Sequence, residues 1–374
     1  MPPLARRNLF HDKVRLTVTL TGIVFAVVLI VVELGLFVGF TVTTSGLVDH
    51  SGADLWITSK HVPYVELGVP FSERKLYQVR AISGVQEAEK LVVRWTQWKR
   101  PDGREESVQI VGFDPNSSLG SPWNLVAGTV EDLKRRDAVI VDEIYKQKLG
   151  VEKLGELFEI RGHRARIVGF THGIRSFTTS PYVFTTFKKA QDYSGIDANQ
   201  TVFILVKTSP GYDLNQVRRE ILANVKDVEV FTTAEFSRMT QVYWMFTTGA
   251  GVAVLLAAIL GLVVGFVVVA QTIYATTVDH LKEFGTLKAM GAGNGYIYKV
   301  IIEQAAISAV MGYALGMVVS AVVVGASQRG GAAIVVPWPM AIGMFFLTLT
   351  MCVGAAMLSI NKVTHLDPAM VFKG

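Results

Sequence analysis

The stretch DHLKEFGTLKAMGAGNG, residues 279–295, sets four charged side chains and a group of glycines between two apolar runs, Met239–Val278 and Ala305–Gln328. Neither run contains Asp, Glu, Lys or Arg, and each exceeds the ~20 residues a helix needs to cross a hydrocarbon core. Two more runs pass the same test: Leu16–Phe40, interrupted only by Glu33, and Gly330–Asn361. With half of its 374 residues apolar and 18% charged, the chain has the composition of a membrane protein carrying one large polar segment.

Orientation follows from the basic residues of the short connections. Arg6, Arg7, Lys13 and Arg15 precede the first run, Lys282, Lys288 and Lys299 lie between the second and third, and Lys362 and Lys373 follow the fourth. The opposite side has only Arg329 in its short loop. Lys and Arg accumulate on the cytoplasmic side, so both termini and 279–295 are expected there and residues 41–242 outside. A cleaved signal peptide would have a shorter apolar region and a small-residue cleavage site. TVTTSGLVDHSG (41–52) offers none, and the first run is read as an uncleaved anchor. The expected division is a cytoplasmic segment 1–15, a span 16–40, a periplasmic domain 41–242, a span 243–274, a cytoplasmic coupling segment 275–297, spans 298–325 and 335–360, and a cytoplasmic tail 361–374.

The outer segment reads as a repeated order of elements. ADLWITS, SERKLYQVRAIS and AEKLVVRWTQW give strand, helix, strand, and TVFILVK, DLNQVRREILANV and VEVFTT repeat it. Two β-α-β units around a central block predict a split α+β sandwich with a β-rich insertion, in which SVQIVGFDP, DAVIVDE and LFEIRGHRARIVGF are strands and Gly162 makes a hairpin turn. The fold class is thus an α-helical membrane protein with four transmembrane helices and a large α+β extracytoplasmic domain, a split β-α-β porter-like lobe with a β-rich insertion, between helices 1 and 2. Trp95, Trp98 and Trp123 suit either its core or a partner.

Signs of catalysis are missing. Asp142 and Glu143 are neighbours, which on a strand point to opposite faces and make no acid/base pair. His163 and His172 flank a strand with no carboxylate at metal-ligand spacing, and the single cysteine, Cys352, lies in an apolar run. Neither G-x-S-x-G, H-E-x-x-H nor the phosphate-binding G-x-x-x-x-G-K-[ST] occurs, so the chain is not expected to be an enzyme or to hydrolyse nucleotide, and no cofactor or metal is expected. Residues 41–242 balance acids against bases almost one for one, without the basic stripe of a nucleic-acid surface.

In 278–290, helical geometry puts Leu281, Phe284 and Leu287 on one side and Asp279, Lys282 and Glu283 elsewhere, an amphipathic element closed by Gly291. Such an element suits docking into a partner's groove or anchoring at the lipid interface. The residues DHLKEFGTLKAMGAGNGYIYKVIIEQAAISAVMGYALG, with their E-x-G-T-L-K-A-x-G-A core and Glu303-Gln304, resemble the carboxy-terminal permease domain of the MacB/FtsX superfamily of ABC transporters, most like the DevC branch. GADLWITS, VGFDP, VIVDE and the tail THLDPAMVF (364–372) are similar to that family's pattern. His280-Leu281-Lys282 stands where much of the superfamily has an arginine-containing run.

That resemblance implies a dimer with a second permease copy, an ABC ATPase subunit as partner, and in DevC-like systems a periplasmic membrane-fusion adaptor and an outer-membrane channel. It implies a bacterial inner membrane and assigns ATPase coupling to Leu281, Glu283, Gly285, Leu287, Lys288 and Gly291. A second implied reading is an FtsX-like transducer that regulates an external cell-wall hydrolase. Three further expectations come from the residues. The uncharged Met239–Val278, about 60 Å long at ~1.5 Å per residue, would be one continuous helix projecting as a stalk. Glu33 is an intramembrane functional candidate, or snorkels near the outer end of its span. Gly261-x-x-x-Gly265 and Gly312-x-x-x-Gly316 have the spacing of close helix contacts, or are ordinary membrane glycines.

Overall fold

The computed structural model describes residues 9–327 and 333–364, without the side chains of Leu281, Lys282, Phe284, Ala289 and 359–364. Arg6, Arg7, Arg329, Lys373 and nearly all of the 364–372 motif lie outside the described residues. In chain order the helices are α1 Lys13–Asp49, α2 Lys75–Arg80, α3 Lys146–Leu149, α4 Phe187–Ser194, α5 Leu214–Asn224, α6 Thr233–Val242, α7 Ala250–Asp279, α8 Leu281–Ala289, α9 Asn294–Ser327 and α10 Trp338–Thr364. The strands are β1 Leu55–Thr58, β2 Phe71–Ser72, β3 Val85–Lys99, β4 Glu105–Phe113, β5 Leu125–Ala127, β6 Ala138–Asp142, β7 Leu157–Ile160, β8 His163–Thr171, β9 Tyr182–Thr186, β10 Gln200–Thr201, β11 Phe203–Thr208 and β12 Glu229–Thr232.

Two compact units divide the chain. The α+β unit, Gly39–Gly251 with 328–333, carries the repeated β-α-β pattern. Strands β12, β1, β11 and β3 lie side by side and antiparallel, so that each β-α-β unit leaves a gap filled by a strand of the other. Helices α2 and α5 cover one face through Leu76, Val79, Val217 and Ile221 against Leu55, Ile57, Ile204 and Val206. On the other face Trp56 packs with Phe203 and with Phe236 of α6, ring centroids 5.3 and 5.2 Å apart.

The expected insertion is present but is not a detached lobe. β3 is 15 residues long; Val85–Leu91 pairs with β11, and Val92–Lys99 pairs with β4. One strand therefore belongs to both parts and makes a single 10-stranded sheet. The β7–β8 hairpin turns at Gly162 (φ +81°), as the sequence predicts. Trp98 is fully buried and donates from its indole to the Leu149 carbonyl at 3.1 Å, Trp95 stays 38% exposed, and Trp123 stacks on His50. His172 lies 2.7 Å from Glu143 on the surface, while Asp142 is buried, in keeping with opposite faces.

Asp142 ties three segments together. Its carboxylate accepts from the Ile144 amide (3.1 Å), the Thr171 hydroxyl (2.9 Å) and the Ile174 amide (2.7 Å). Burial raises its pKa, and the donors only partly oppose this. Asp142→Ala leaves three donors without their acceptor, and a destabilisation of about 3 kcal/mol is expected, at ~1–3 kcal/mol per buried unsatisfied group. Thermal melting of the full-length protein in detergent, followed by near-ultraviolet circular dichroism, measures it; an unchanged midpoint refutes the role.

Two helices do not end where the expected spans do. The first span, expected to end at residue 40, continues as helix to Asp49. The Thr43 and Thr44 hydroxyls fold back onto the carbonyls of Gly39 and Phe40, and Leu47 and Val48 are buried in the core of the α+β unit, so TVTTSG reads as a turn in isolation but is helical in context. The helix at the second expected span, 243–274, runs from Ala250 to Asp279. The uncharged stretch from Met239 is not one stalk helix: α6 ends at Val242, a π-helical turn Tyr243–Thr247 follows, and Gly249 takes φ +76°. That left-handed conformation ends a helix, and Thr248 caps the next one by accepting from the Ala250 amide at 3.2 Å.

In the other unit α1, α7, α9 and α10 are each long and apolar enough to cross a membrane. Their common core includes Ile23, Val27, Ile30, Val269, Ile301, Met344 and Cys352.

Candidate functional site

Asp279 ends α7, His280 (φ −87°, ψ 8°) turns the chain, and α8 runs for nine residues. Glu283 lies in its first turn and Lys288 in its last, the order that complements a helix dipole. At the far end the amide of Gly291 donates to the Lys288 carbonyl (3.1 Å) and that of Ala292 to the Leu287 carbonyl (3.0 Å), with Gly291 at φ +96°. This is a Schellman closure, which needs a residue tolerating positive φ. The helix is thus short, capped and held at a fixed length.

The structure divides the predicted coupling residues into two sets. Gly285 is buried, and Leu287 is half-buried against the apolar core of its own helix bundle. Leu287 thus spends part of its surface on its own bundle, where the sequence reading turned it towards a partner. Lys288 is half-buried, Gly291 is exposed, and the Leu281 side chain lies outside the described residues. Glu283 is exposed, its Oε2 standing 3.1 Å from Nδ1 of the buried His280. Among the described side chains of 281–290, Glu283, Thr286 and Met290 are exposed, the last at 72%. Thr286 and Met290 were not among the predicted coupling residues, although Thr286 lies three residues after Glu283 and Met290 four after Thr286, the spacing of a shared helix face.

Behind α8, α1 is gripped from two sides. A Cβ on Gly265 of α7 would lie 2.8 Å from Ile30, and one on Gly261 would lie 3.0 Å from Cγ of Glu33. On α9 a Cβ at Gly312 would overlap Ile23, and one at Gly316 would come within 2.7 Å of Val27. Both small-residue pairs thus receive side chains of α1, whereas Gly343 and Gly354 meet nothing within 4 Å. Glu33 is half-buried, with its aliphatic stem on Gly261. At the end of the bundle near α8, the hydroxyls of Thr19 and Thr276 lie 2.9 Å apart, and Arg15 reaches Asp12 at 3.1 Å and Asp279 at 3.8 Å. The exposed ion pairs contribute little by themselves, but they tie the start of α1 to Asp279 at the end of α7.

Residues 16–224, more than half of the chain, match the family described as the MacB-like periplasmic core domain, and residues 255–368 match the FtsX-like permease C-terminal family. The chain belongs to the MacB/FtsX permease superfamily. Relatives along the whole length of this permease include an uncharacterized ABC transporter permease of Mycobacterium tuberculosis, 24% identical over 99% of each chain, and one of Mycobacterium bovis, 23% identical over 99% of each. Another from Methanocaldococcus jannaschii is 21% identical over 59% of this chain and 58% of its own. Among solved structures, the periplasmic region of MacB from Actinobacillus actinomycetemcomitans is 12% identical, covering 50% of this chain and 93% of that one at a TM-score of 0.39. The MacB/FtsX permease is a multi-pass membrane protein with four candidate spans and an extracellular α+β domain between the first span and the rest.

Proposed function

We propose that this ABC transporter permease couples ATP hydrolysis by a separate ATPase subunit to conformational change in its extracellular domain, with α8 as the docking element. The observation that carries this reading is the capped α8, with Glu283, Thr286 and Met290 outward and Leu287 seated in its own bundle. A rigid helix with one face anchored inward and the other exposed suits transmission of force from a bound partner. Gly285, Leu287, Lys288 and Gly291 shape and seat the element, Glu283 meets the partner, and Leu281 keeps the coupling role that the family resemblance implies. Glu33, at the crossing of α1 and α7, is proposed to act in helix packing.

The chain is proposed to work as a dimer in a bacterial inner membrane, with both termini cytoplasmic and 41–242 periplasmic, in a DevC-like export system with a membrane-fusion adaptor and an outer-membrane channel. Purification of the intact complex tests the assembly. Recovery of an ATPase with an adaptor is expected; a cell-wall hydrolase in place of the adaptor, with no transport defect on deletion, replaces export by the transducer reading.

Orientation has its own test. A reporter joined after Gly374 is expected to respond as cytoplasmic. One inserted at Gly103, an exposed turn where an added Cβ would meet nothing within 4 Å, is expected to respond as external. Reversed signals overturn the arrangement.

A further inference from the structure

Glu66 is unexplained by coupling. It sits in the short 3-10 turn Val65–Leu67 of the α+β unit, only 3% exposed. Both carboxyl oxygens are buried without a hydrogen-bond partner among the described residues, as is the indole nitrogen of Trp244. Aromatic rings surround this turn. Tyr64 stacks on Tyr243 at 4.2 Å and meets Trp244 edge-on at 5.2 Å; Trp244 lies 4.3 Å from Phe177, and Phe177 lies 5.4 Å from Phe40. Tyr243 and Trp244 open the π-helical turn that precedes Gly249 and α7. Such turns are uncommon and recur at functional positions.

A carboxylate buried without a partner is strongly disfavoured, so the closed cluster suits a neutral carboxyl. Burial raises the Glu66 pKa to about 7; its own backbone amide and the Trp244 indole lie near enough to oppose this in part, but neither meets the geometry of a hydrogen bond to the carboxyl. The titratable and charged groups on the elements around it are Tyr64 on its own segment, Tyr243 on the π-helical turn, Tyr182 on β9, Arg94 on β3 and Arg175 on the loop bearing Phe177. Burial holds the Tyr64 and Tyr182 phenols above their ordinary value, hence protonated. The Arg94 guanidinium donates to the Gly68 carbonyl at 3.1 Å instead of to Glu66.

We propose that Glu66 is a proton-operated latch: its neutral carboxyl lets the aromatic cluster close on the π-helical turn, and its ionisation draws in water and loosens Trp244 and the segment leading into α7. The folded value lies above that of an unfolded carboxyl. Stability is therefore unaffected below the ordinary carboxyl range, declines as pH rises towards about 7, and levels off beyond it. An extracellular domain meets the pH of its surroundings, so the latch would make the permease sensitive to external acidity. This inference does not depend on ATPase docking.

Hydrogen exchange of residues 243–249 in the full-length protein in detergent, corrected for intrinsic exchange, tests it. Opening of this segment is expected to become about tenfold more favourable between pH 6 and pH 8, the linkage expected for a carboxyl titrating in that range when closed and lower when open. Glu66→Gln is expected to abolish this dependence, and Trp244 emission, taken as the difference from Trp244→Phe, to shift with a midpoint near pH 7 in the wild type only. Wild-type exchange that is constant over this range overturns the proposal even if Glu66→Gln does not fold, and so does a pH transition that survives in Glu66→Gln.

Discussion

Glu283→Lys combined with Met290→Asp is expected to weaken association with the ATPase roughly a hundredfold, about 3 kcal/mol, while membrane insertion and melting temperature stay at wild-type values. Both side chains are exposed, at the two ends of one helix face, so their replacement reverses a charge and adds a second one without opening a cavity. Glu283 also stands 3.1 Å from His280, and Glu283→Gln, which keeps the size without the charge, is expected to lose less binding. Leu287→Asp gives the opposite pattern. Leu287 packs against the bundle's own core, so a carboxylate there is expected to lower the melting temperature first and binding only as a consequence. Titration of purified ATPase against each variant in detergent, alongside melting curves, separates the cases. Full-strength binding by the exposed double variant would remove α8 as the docking element.

Much of this organisation is legible in the sequence because membranes impose a length and a charge rule that few other environments impose. Four apolar runs appear as four helices, and the repeated strand-helix-strand patterns appear as interleaved units of one sheet. Where the reading fails, the missing information is tertiary. An uncharged run carries no mark of where its helix breaks, and only Thr248 and a glycine held at φ +76° separate α6 and its π-helical turn from α7. The Thr-rich end of α1 looks like a turn until Leu47 and Val48 find a core to enter. A strand of 15 residues shared by two parts of a sheet looks locally like an ordinary strand. In α8 the periodicity puts Leu287 on an apolar face, but periodicity does not distinguish a face that meets a partner from one that meets the protein's own bundle, where Leu287 packs. Nothing in the sequence singles out Glu66, because burial of a charged residue leaves no trace in its neighbours' composition.

Gly312→Leu with Gly316→Leu is expected to disrupt the bundle, whereas Gly343→Leu with Gly354→Leu, two leucines also added to membrane helices, is expected to be nearly neutral. The distinction rests on what each new side chain meets. At Gly312 and Gly316 even a Cβ collides with Ile23 and Val27, both almost wholly buried in the core, while at Gly343 and Gly354 it meets nothing within 4 Å. Overpacking a filled core costs about 1–3 kcal/mol per site, so the first pair is expected to lose several kcal/mol and much of its yield after detergent extraction. Gly312→Ala, a milder change, allows a compensation test. Ile23→Ala removes the side-chain atom nearest the added methyl but leaves the Ile23 Cβ position 2.8 Å away, so it is expected to restore part of the loss and not all of it. A double-mutant cycle on melting temperature measures that coupling. Strict additivity of the two changes, or equal damage from the two leucine pairs, would mean that the glycines on α9 do not set the approach of α1. In that case the link drawn between α8 and the anchor helix would lose its physical basis.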